Sequence, residues 1–486
     1  MKKTRIFSFF ISVCLFLTLL APGAFALDAP PLHSAKAVVL ADMDSGRLLY
    51  ELNKDERRSP ASLTKIMTVL LAVEAYERGE VTLDEMVTAQ ADCLAGLNTD
   101  SSTSGIQPGE IISYRDLLYC AMVHSANEAC NVLAHRVSGS VDAFVGLMNS
   151  RAAELGCTNT RFADPNGLSN ENHYTTAYEM YLITREALKH PLFAEICNTK
   201  GFDMPATNLS PARSFANSNA LITTESDYGS NYVYPAAAGV KTGFTQQAGY
   251  CLVSTAEKNG VRLLAVVMGC DGWLNAGIEE YENFSDTIRL YNWAFDNFEY
   301  RQAVSAISTV TRVQVEHAVE SDAYVNLRPQ SDVTLLLPKD LNLETIELRP
   351  NIYTEQLVAP IEAGTVLGRA EIVINGESFG SVNLVNAMQV ELSRKEFMTR
   401  RVQQTISSPW IIVLLVVLLV FAFVYLILVL RYRAQRRKYL RRKRELAARR
   451  AARSRGIDAT LSDEDARRFA DAVDEELQRR TQQKKR

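Results

Sequence analysis

Three short motifs follow one another along the chain: Ser62-Leu63-Thr64-Lys65, Ser125-Ala126-Asn127 and Lys241-Thr242-Gly243. A serine hydroxyl is a poor nucleophile at its own pKa and needs a base beside it. Lys65, three residues on, shares the helix face of Ser62 one turn away. The run that Ser62 opens, SLTKIMTVLLAVEAYERG, is apolar on nearly every face, so it belongs inside a domain. A lysine desolvated there loses enough basicity to act as the proton acceptor. The helix start adds backbone N–H groups and a positive dipole where an oxyanion would form. Lys241 and Thr242, at the end of a strand-like run, can reach a substrate carboxylate, and Gly243 leaves room for substrate backbone to approach.

Each motif alone is weak, because a serine three residues before a lysine is usually a solvated helix face. Ser62–Lys65 is, however, the only S-x-x-K in the sequence. Ser381-Val382-Asn383 imitates the second motif but lies beyond the third, in an alternating run that reads as a strand.

The elements that must position these residues are legible in the apolar pattern. Lys36–Leu52 reads as a hairpin turning at Asp44-Ser45-Gly46. Residues 110–156 carry helical periodicity in YRDLLYCAMVHSANEACNVLAHRV and VDAFVGLMNSRAAELG, the second stopping at Gly156. Residues 157–175 are loop-like, 177–188 helical, and a polar stretch runs to about Tyr234. Three strand-like runs follow (AAAGVKTG, GYCLVSTAE, VRLLAVVMG), the last two joined by Lys258-Asn259-Gly260, a strong hairpin signal. Strands at both ends with helices between make an α/β domain whose sheet is completed by the far end of the sequence. From 301 to 400 the short alternating runs predict a small all-β domain.

In that order, S-x-x-K, S-x-N and K-T-G are the signature of penicillin-binding proteins and class A β-lactamases. SPASLTKIMT, HSANEA, TRFADPNGLSNENHYTTAYEM and GVKTGFTQQAGY resemble the low-molecular-weight D-alanyl-D-alanine carboxypeptidases, well over about residues 34–275 and loosely over 302–398. The resemblance implies a helical cluster on an antiparallel five-stranded sheet. It also implies removal of the terminal D-alanine from peptidoglycan stem peptides through a serine acyl-enzyme, with β-lactams as inhibitors. Carried over, Ser62 is the nucleophile, Lys65 its base and Ser125 the relay to the leaving amine. Asn127 holds the peptide amide, and Lys241 and Thr242 of the K-T-G bind the terminal carboxylate. The backbone N–H groups of Ser62 and Phe244 form the oxyanion hole. Ala126 departs from the common Gly or Asp, and Asn166 from the frequent His of an H-G-L element, which leaves the part of that loop in deacylation open. A serine β-lactamase would need a deacylating glutamate in an E-x-x-L-N setting, which residues 157–185 lack; a non-catalytic wall sensor would not need all three motifs intact.

The net charge of −4 hides an asymmetry. Residues 27–430 carry 29 basic against 47 acidic groups, and residues 431–486 carry 20 against 9. Lys2, Lys3 and Arg5 before the apolar run Ile6–Leu20, with Ala24-Phe25-Ala26, read as a signal peptide over 1–26. Residues 27–300 would be the catalytic domain, 409–430 a transmembrane helix and 431–486 a tail. Trp410–Leu430 is long enough, at about 1.5 Å per residue, to cross roughly 30 Å of hydrocarbon. The arginines and lysines behind it place the tail in the cytoplasm and the catalytic domain outside. Arg431–Arg455, with 13 basic residues and one Glu, is expected to lie along an anionic inner leaflet rather than on nucleic acid. Ala466–Arg480 reads as a short further helix. Seven cysteines remain after Cys14, an odd number among apolar neighbours, and read as small buried hydrophobes. The six histidines show no metal-ligand spacing, so neither metal nor other cofactor is expected.

Overall fold

The computed structural model describes residues 27–454 except 98–100, 169, 276–277, 355 and 407, together with scattered positions beyond 454. The signal-peptide segment and most of the helix expected over 466–480 lie outside the described residues.

Five strands form one antiparallel sheet: β1 (Ala37–Asp42), β2 (Leu48–Leu52), β3 (Ala237–Thr245), β4 (Gly249–Lys258) and β5 (Val261–Cys270), in the order β2-β1-β5-β4-β3. The expected closure by the far end of the sequence is therefore met at β1–β5, where Ala37 faces Met268 and Asp42 faces Leu263. The β4–β5 turn has φ of +53° at Asn259 and +79° at Gly260. Positive φ at both central residues is what a type I′ hairpin needs. β3, which carries the K-T-G, is an edge strand.

Helix α1 (Lys65–Glu77) is buried from Lys65 through Val73, as its all-round apolar sequence requires. α2 (Tyr114–Met122), α3 (Asn127–Ser138), α4 (Val141–Glu154), α5 (Ala177–Ala187) and α6 (Pro191–Cys197) complete the cluster. Ser113, Ser140 and Thr176 accept N–H bonds at the starts of α2, α4 and α5, each capping bond contributing about 1 kcal/mol. Gly156 ends α4 with φ +83°. The periodic stretch 114–137 is not one helix: Ser125 has φ +66°, which stops α2 and lets α3 begin at Asn127. Hydrophobic periodicity is blind to this, because Val123 and Ala126 are as buried as helical neighbours would be.

The polar stretch before Tyr234 holds α6 and a strand pair, Gly201–Met204 with Arg213–Ala216, which the sequence pattern hid. α7 (Glu282–Asn297) also went unread. Phe284, Leu290, Tyr291 and Ala294 of α7 cover the sheet face opposite the helical cluster, against Val38, Leu40, Leu252 and Val267. All seven described cysteines are buried and free.

From Phe298 to Asn386 the chain is mainly β, with a two-stranded sheet (Phe298–Val304 with Val333–Pro338) and a six-stranded one. Strand Tyr324–Pro329 alternates exposed and buried residue by residue, the half-buried pattern. By compactness the described chain divides into a first unit with residues 27–308, Pro329–Asn351 and Ala370–Asn383, and a second with Thr309–Arg328, Ile352–Arg369 and the chain from Leu384. After α8 (Arg394–Ile406), α9 runs from Pro409 to Ser454. It includes a helix long and apolar enough to cross a membrane. The basic run is continuous with that helix, as neither Pro nor Gly stands between Trp410 and Ser454.

Candidate active site

The turn Ala61–Thr64 precedes α1 and carries Ser62. Ala61 has φ +47° in front of the serine, and Ser125 sits at +66°. Two non-glycine residues in the left-handed region, each costing about 1–3 kcal/mol, meet at one place. The structure brings together the side chains of all three motifs there.

Lys65, wholly buried, donates to Ser62 Oγ at 2.7 Å, to Ser125 Oγ at 3.3 Å and to the Asn166 carbonyl at 3.0 Å. Three partners exhaust an ammonium's donors, whereas a neutral amine would donate two hydrogens and turn its lone pair to one hydroxyl. Burial lowers the Lys65 pKa to about 8, against the smaller opposing influence of Cys130, Asp164 and Glu128. Both protonation states are thus accessible near neutral pH.

Asn127 opens α3 with its side chain buried, and its Oδ1 has no hydrogen-bond partner among the described residues. A buried acceptor left open costs about 1–3 kcal/mol unless something donates to it. Lys241 is buried too and donates to the Thr242 carbonyl at 3.1 Å. Burial, and then the charge of Lys65, hold its pKa well below that of a free lysine. An anion reaching Lys241 would relieve this desolvation cost. Thr242 Oγ1 is 2.6 Å from Ser218 Oγ.

Gly243 faces the turn of Ser62. A Cβ there would lie 3.1 Å from the Pro60 carbonyl and 3.2 Å from the Ser62 nitrogen. The missing side chain lets β3 approach the turn of Ser62 itself. Phe244, next along the strand, is partly exposed and stacks on Tyr250 with ring centroids 4.2 Å apart.

The Asn166 loop contributes its backbone. Asn166 spends its side-chain NH₂ on Asn131 Oδ1 at 3.2 Å, and Asn131 donates to the Cys93 carbonyl at 2.8 Å. Gly167 has φ +91°, and a Cβ there would overlap the Ala61 carbonyl at 1.9 Å. The sequence pattern did not single out Asp164, His173, Asn131 or Ser218. Polar residues in loops rich in Asn, Asp and Ser carry no signal that separates structural from solvated ones. Thr64 lay inside the first motif, unmarked.

Residues 25–272 match the family model described as D-alanyl-D-alanine carboxypeptidase, and 298–392 match that of the C-terminal domain of penicillin-binding protein 5. The chain is 32% identical over 366 residues to D-alanyl-D-alanine carboxypeptidase DacF of Bacillus subtilis, covering 74% of this chain and 87% of the relative. It is 33% identical over 382 residues to DacC of Escherichia coli, covering 77% and 90%. Among solved structures, penicillin-binding protein 5 of Haemophilus influenzae superposes with a TM-score of 0.58 at 29% identity, over 75% of this chain and 99% of that one.

Proposed function

This chain belongs to the D-alanyl-D-alanine carboxypeptidase family and is a serine-type carboxypeptidase of cell-wall peptides, and from that premise we propose how its own residues divide the reaction. Ser62 Oγ attacks the carbonyl of the penultimate D-alanine while Lys65 Nζ takes the hydroxyl proton. The backbone N–H groups of Ser62 and Phe244 hold the resulting oxyanion. Ser125 passes a proton to the departing D-alanine amine, which leaves an ester on Ser62. Water then cleaves that ester, with Lys65 again as base. Asn127 Oδ1 accepts from the substrate amide, and Lys241 with Thr242 binds the terminal carboxylate beside Gly243.

The observation that carries this reading is the position of Lys65 Nζ within hydrogen-bond reach of both Ser62 Oγ and Ser125 Oγ. One base therefore serves the attacking and the relaying hydroxyl. The test is mass spectrometry of the protein after treatment with penicillin. A single adduct on the peptide carrying Ser62, lost in Ser62→Ala, is the expected result; an adduct elsewhere overturns the assignment.

The same reading includes the five-part division into 1–26, 27–300, 301–400, 409–430 and 431–486, of which the second and third parts are supported by the family matches over 25–272 and 298–392. It places the catalytic domain outside a single membrane span and the C-terminus in the cytoplasm, supported by the basic residues behind Leu430. Anionic lipid is the partner of Arg431–Arg455, of which the cations up to Lys438 rise no more than about 12 Å past the apolar stretch, close to the screening length of about 8–10 Å.

A further inference from the structure

Asp164, His173 and Thr64 take no part in the reaction as proposed, yet they are tied to both halves of the Ser62–Lys65 couple. Thr64 Oγ1 donates to the Ala61 carbonyl at 2.8 Å, bracing the turn on which Ser62 stands. The same oxygen lies 2.8 Å from His173 Nε2. A hydroxyl has one hydrogen, already committed to Ala61, so His173 Nε2 must be the donor here. On the other side of the ring, Nδ1 lies 3.2 Å from the Ala163 nitrogen and 3.3 Å from Asp164 Oδ2; it cannot accept the first and donate to the second at once, but either contact ties the ring to the 163–164 segment. The second oxygen of Asp164 accepts the backbone N–H groups of Asn166 at 3.0 Å, Gly167 at 2.5 Å and Leu168 at 3.3 Å. That bend turns the Asn166 carbonyl onto Lys65.

The path is closed: from the turn of Ser62 through Thr64, His173, Asp164 and Asn166 to Lys65, and back to Ser62. Thr64, His173 and Asn166 are nearly inaccessible to solvent, so water cannot replace the links among them, whereas Asp164 is partly exposed. Gly167 locks the contact, since any side chain there would strike the Ala61 carbonyl.

We infer that His173, oriented by the 163–164 segment, is a positioning residue of the acylation step, holding the turn of Ser62 and the carbonyl that aims Lys65 in one register. It touches neither substrate nor reacting atom. Its contribution is geometric, and a displacement of about 1 Å in such a couple costs on the order of 100-fold in rate. Asp164 adds an electrostatic effect. The charged groups facing Lys65 are Asp164 from the loop and Glu128 from α3, which favour its ammonium form, and Lys241 from β3, with the Cys130 thiol also alongside. Removing the Asp164 charge therefore makes Lys65 easier to deprotonate.

The inference rests on the Ser62–Lys65 reading above, and the experiment separates the two. The full chain in detergent is acylated with penicillin across pH, as wild type, His173→Ala, His173→Gln and Asp164→Asn, with thermal midpoints recorded. Gln can donate at one end and accept at the other; Asn keeps an acceptor for the loop N–H groups without the charge. A wild-type adduct away from Ser62 would remove the underlying reading. Given a Ser62 adduct, His173→Ala should acylate on the order of 100-fold more slowly, and His173→Gln within a few-fold of wild type. Asp164→Asn should shift the acidic limb of the rate profile to lower pH. Wild-type rates in His173→Ala, or an equally slow His173→Gln, overturn the inference. Should His173→Ala not fold, the other two variants decide: a slow His173→Gln or an unshifted Asp164→Asn profile overturns it.

Discussion

Lys65 Nζ stands 2.7 Å from Ser62 Oγ, and the contact joins a base whose pKa is lowered to about 8 to the only hydroxyl opening an S-x-x-K. Neutral amine grows as pH rises through that value, so acylation should rise with pH and level off above about 8. Stopped-flow penicillin labelling from pH 5 to 10 checks it; a rate that falls over this range would contradict a lysine base. Lys65→Arg should be inactive across the range, because a guanidinium stays charged.

Burying Lys65 has a cost for folding as well. Its folded pKa, about 8, lies below the ordinary lysine value of 10.5, so the unfolded chain binds more protons between these values and stability rises with pH there. Below pH 8 the buried ammonium destabilises the fold by roughly 3 kcal/mol at most. Lys65→Met, which is of similar length and carries no charge, should abolish acylation without lowering the thermal midpoint. The loss of hydrogen bonds to Ser62, Ser125 and Asn166 offsets part of the gain. A midpoint lowered by more than about 5 °C would show that those bonds outweigh the desolvation.

Lys241 is the second buried lysine, and among the described residues it donates to a backbone carbonyl, that of Thr242. A substrate carboxylate would supply the missing counter-charge together with Thr242. Amidating the C-terminus of a D-Ala-D-Ala peptide should therefore lower kcat/KM by at least 100-fold, the equivalent of about 3 kcal/mol for a charge-assisted contact. Equal cleavage of amide and acid would remove Lys241 and Thr242 from carboxylate recognition.

How the fold could be read from the residues differs between elements. α1 and the β4–β5 hairpin were legible because each has a local cause, an all-round apolar helix and an Asn-Gly turn. The sheet closing β1 on β5 followed from strands lying at both ends of the domain. The break at Ser125 was not legible, since a φ of +66° is a conformation serine seldom takes and its residue type does not announce. α7 alternates core and solvent residues over Glu282–Asn297 but begins after a run with no apolar period. In the site, the motif side chains were all readable. The Thr64–His173–Asp164 path was not, because its links join residues 109 and 9 positions apart in loops of ordinary composition.

Gly243→Ala tests the closeness of β3 to the turn of Ser62. The added methyl would meet the Pro60 carbonyl and the Ser62 nitrogen at 3.1 and 3.2 Å, tighter than ordinary contact. Relief requires only a few tenths of an ångström at an edge strand, so stability should fall by about 1–2 kcal/mol. The displaced atoms include the Ser62 N–H proposed for the oxyanion. Acylation should then fall more steeply than stability, on the order of 10–100-fold. Unchanged acylation kinetics in a folded variant would show that β3 does not set the position of that N–H.

The tail can be tested by where its charges sit along α9. Arg431, Arg433, Arg436, Arg437 and Lys438 fall in the first two turns past Leu430, and the helix then continues to Ser454, about 36 Å beyond the apolar stretch. Attraction to a charged leaflet is screened within about 8–10 Å, so cations beyond the third turn contribute little to it. Each near cation contributes about 1 kcal/mol. Replacing the five near residues by Gln should thus weaken binding of a 431–454 peptide, anchored at its first residue to anionic vesicles, far more than replacing the distal Arg441, Arg442, Lys443, Arg444 and Arg449. Neutral vesicles should bind neither strongly, and added salt should reduce the difference. Protease added outside right-side-out vesicles should spare the tail. Cleavage there would reverse the topology, and equal effects of near and distal replacements would mean that the helix bends to lie on the membrane face.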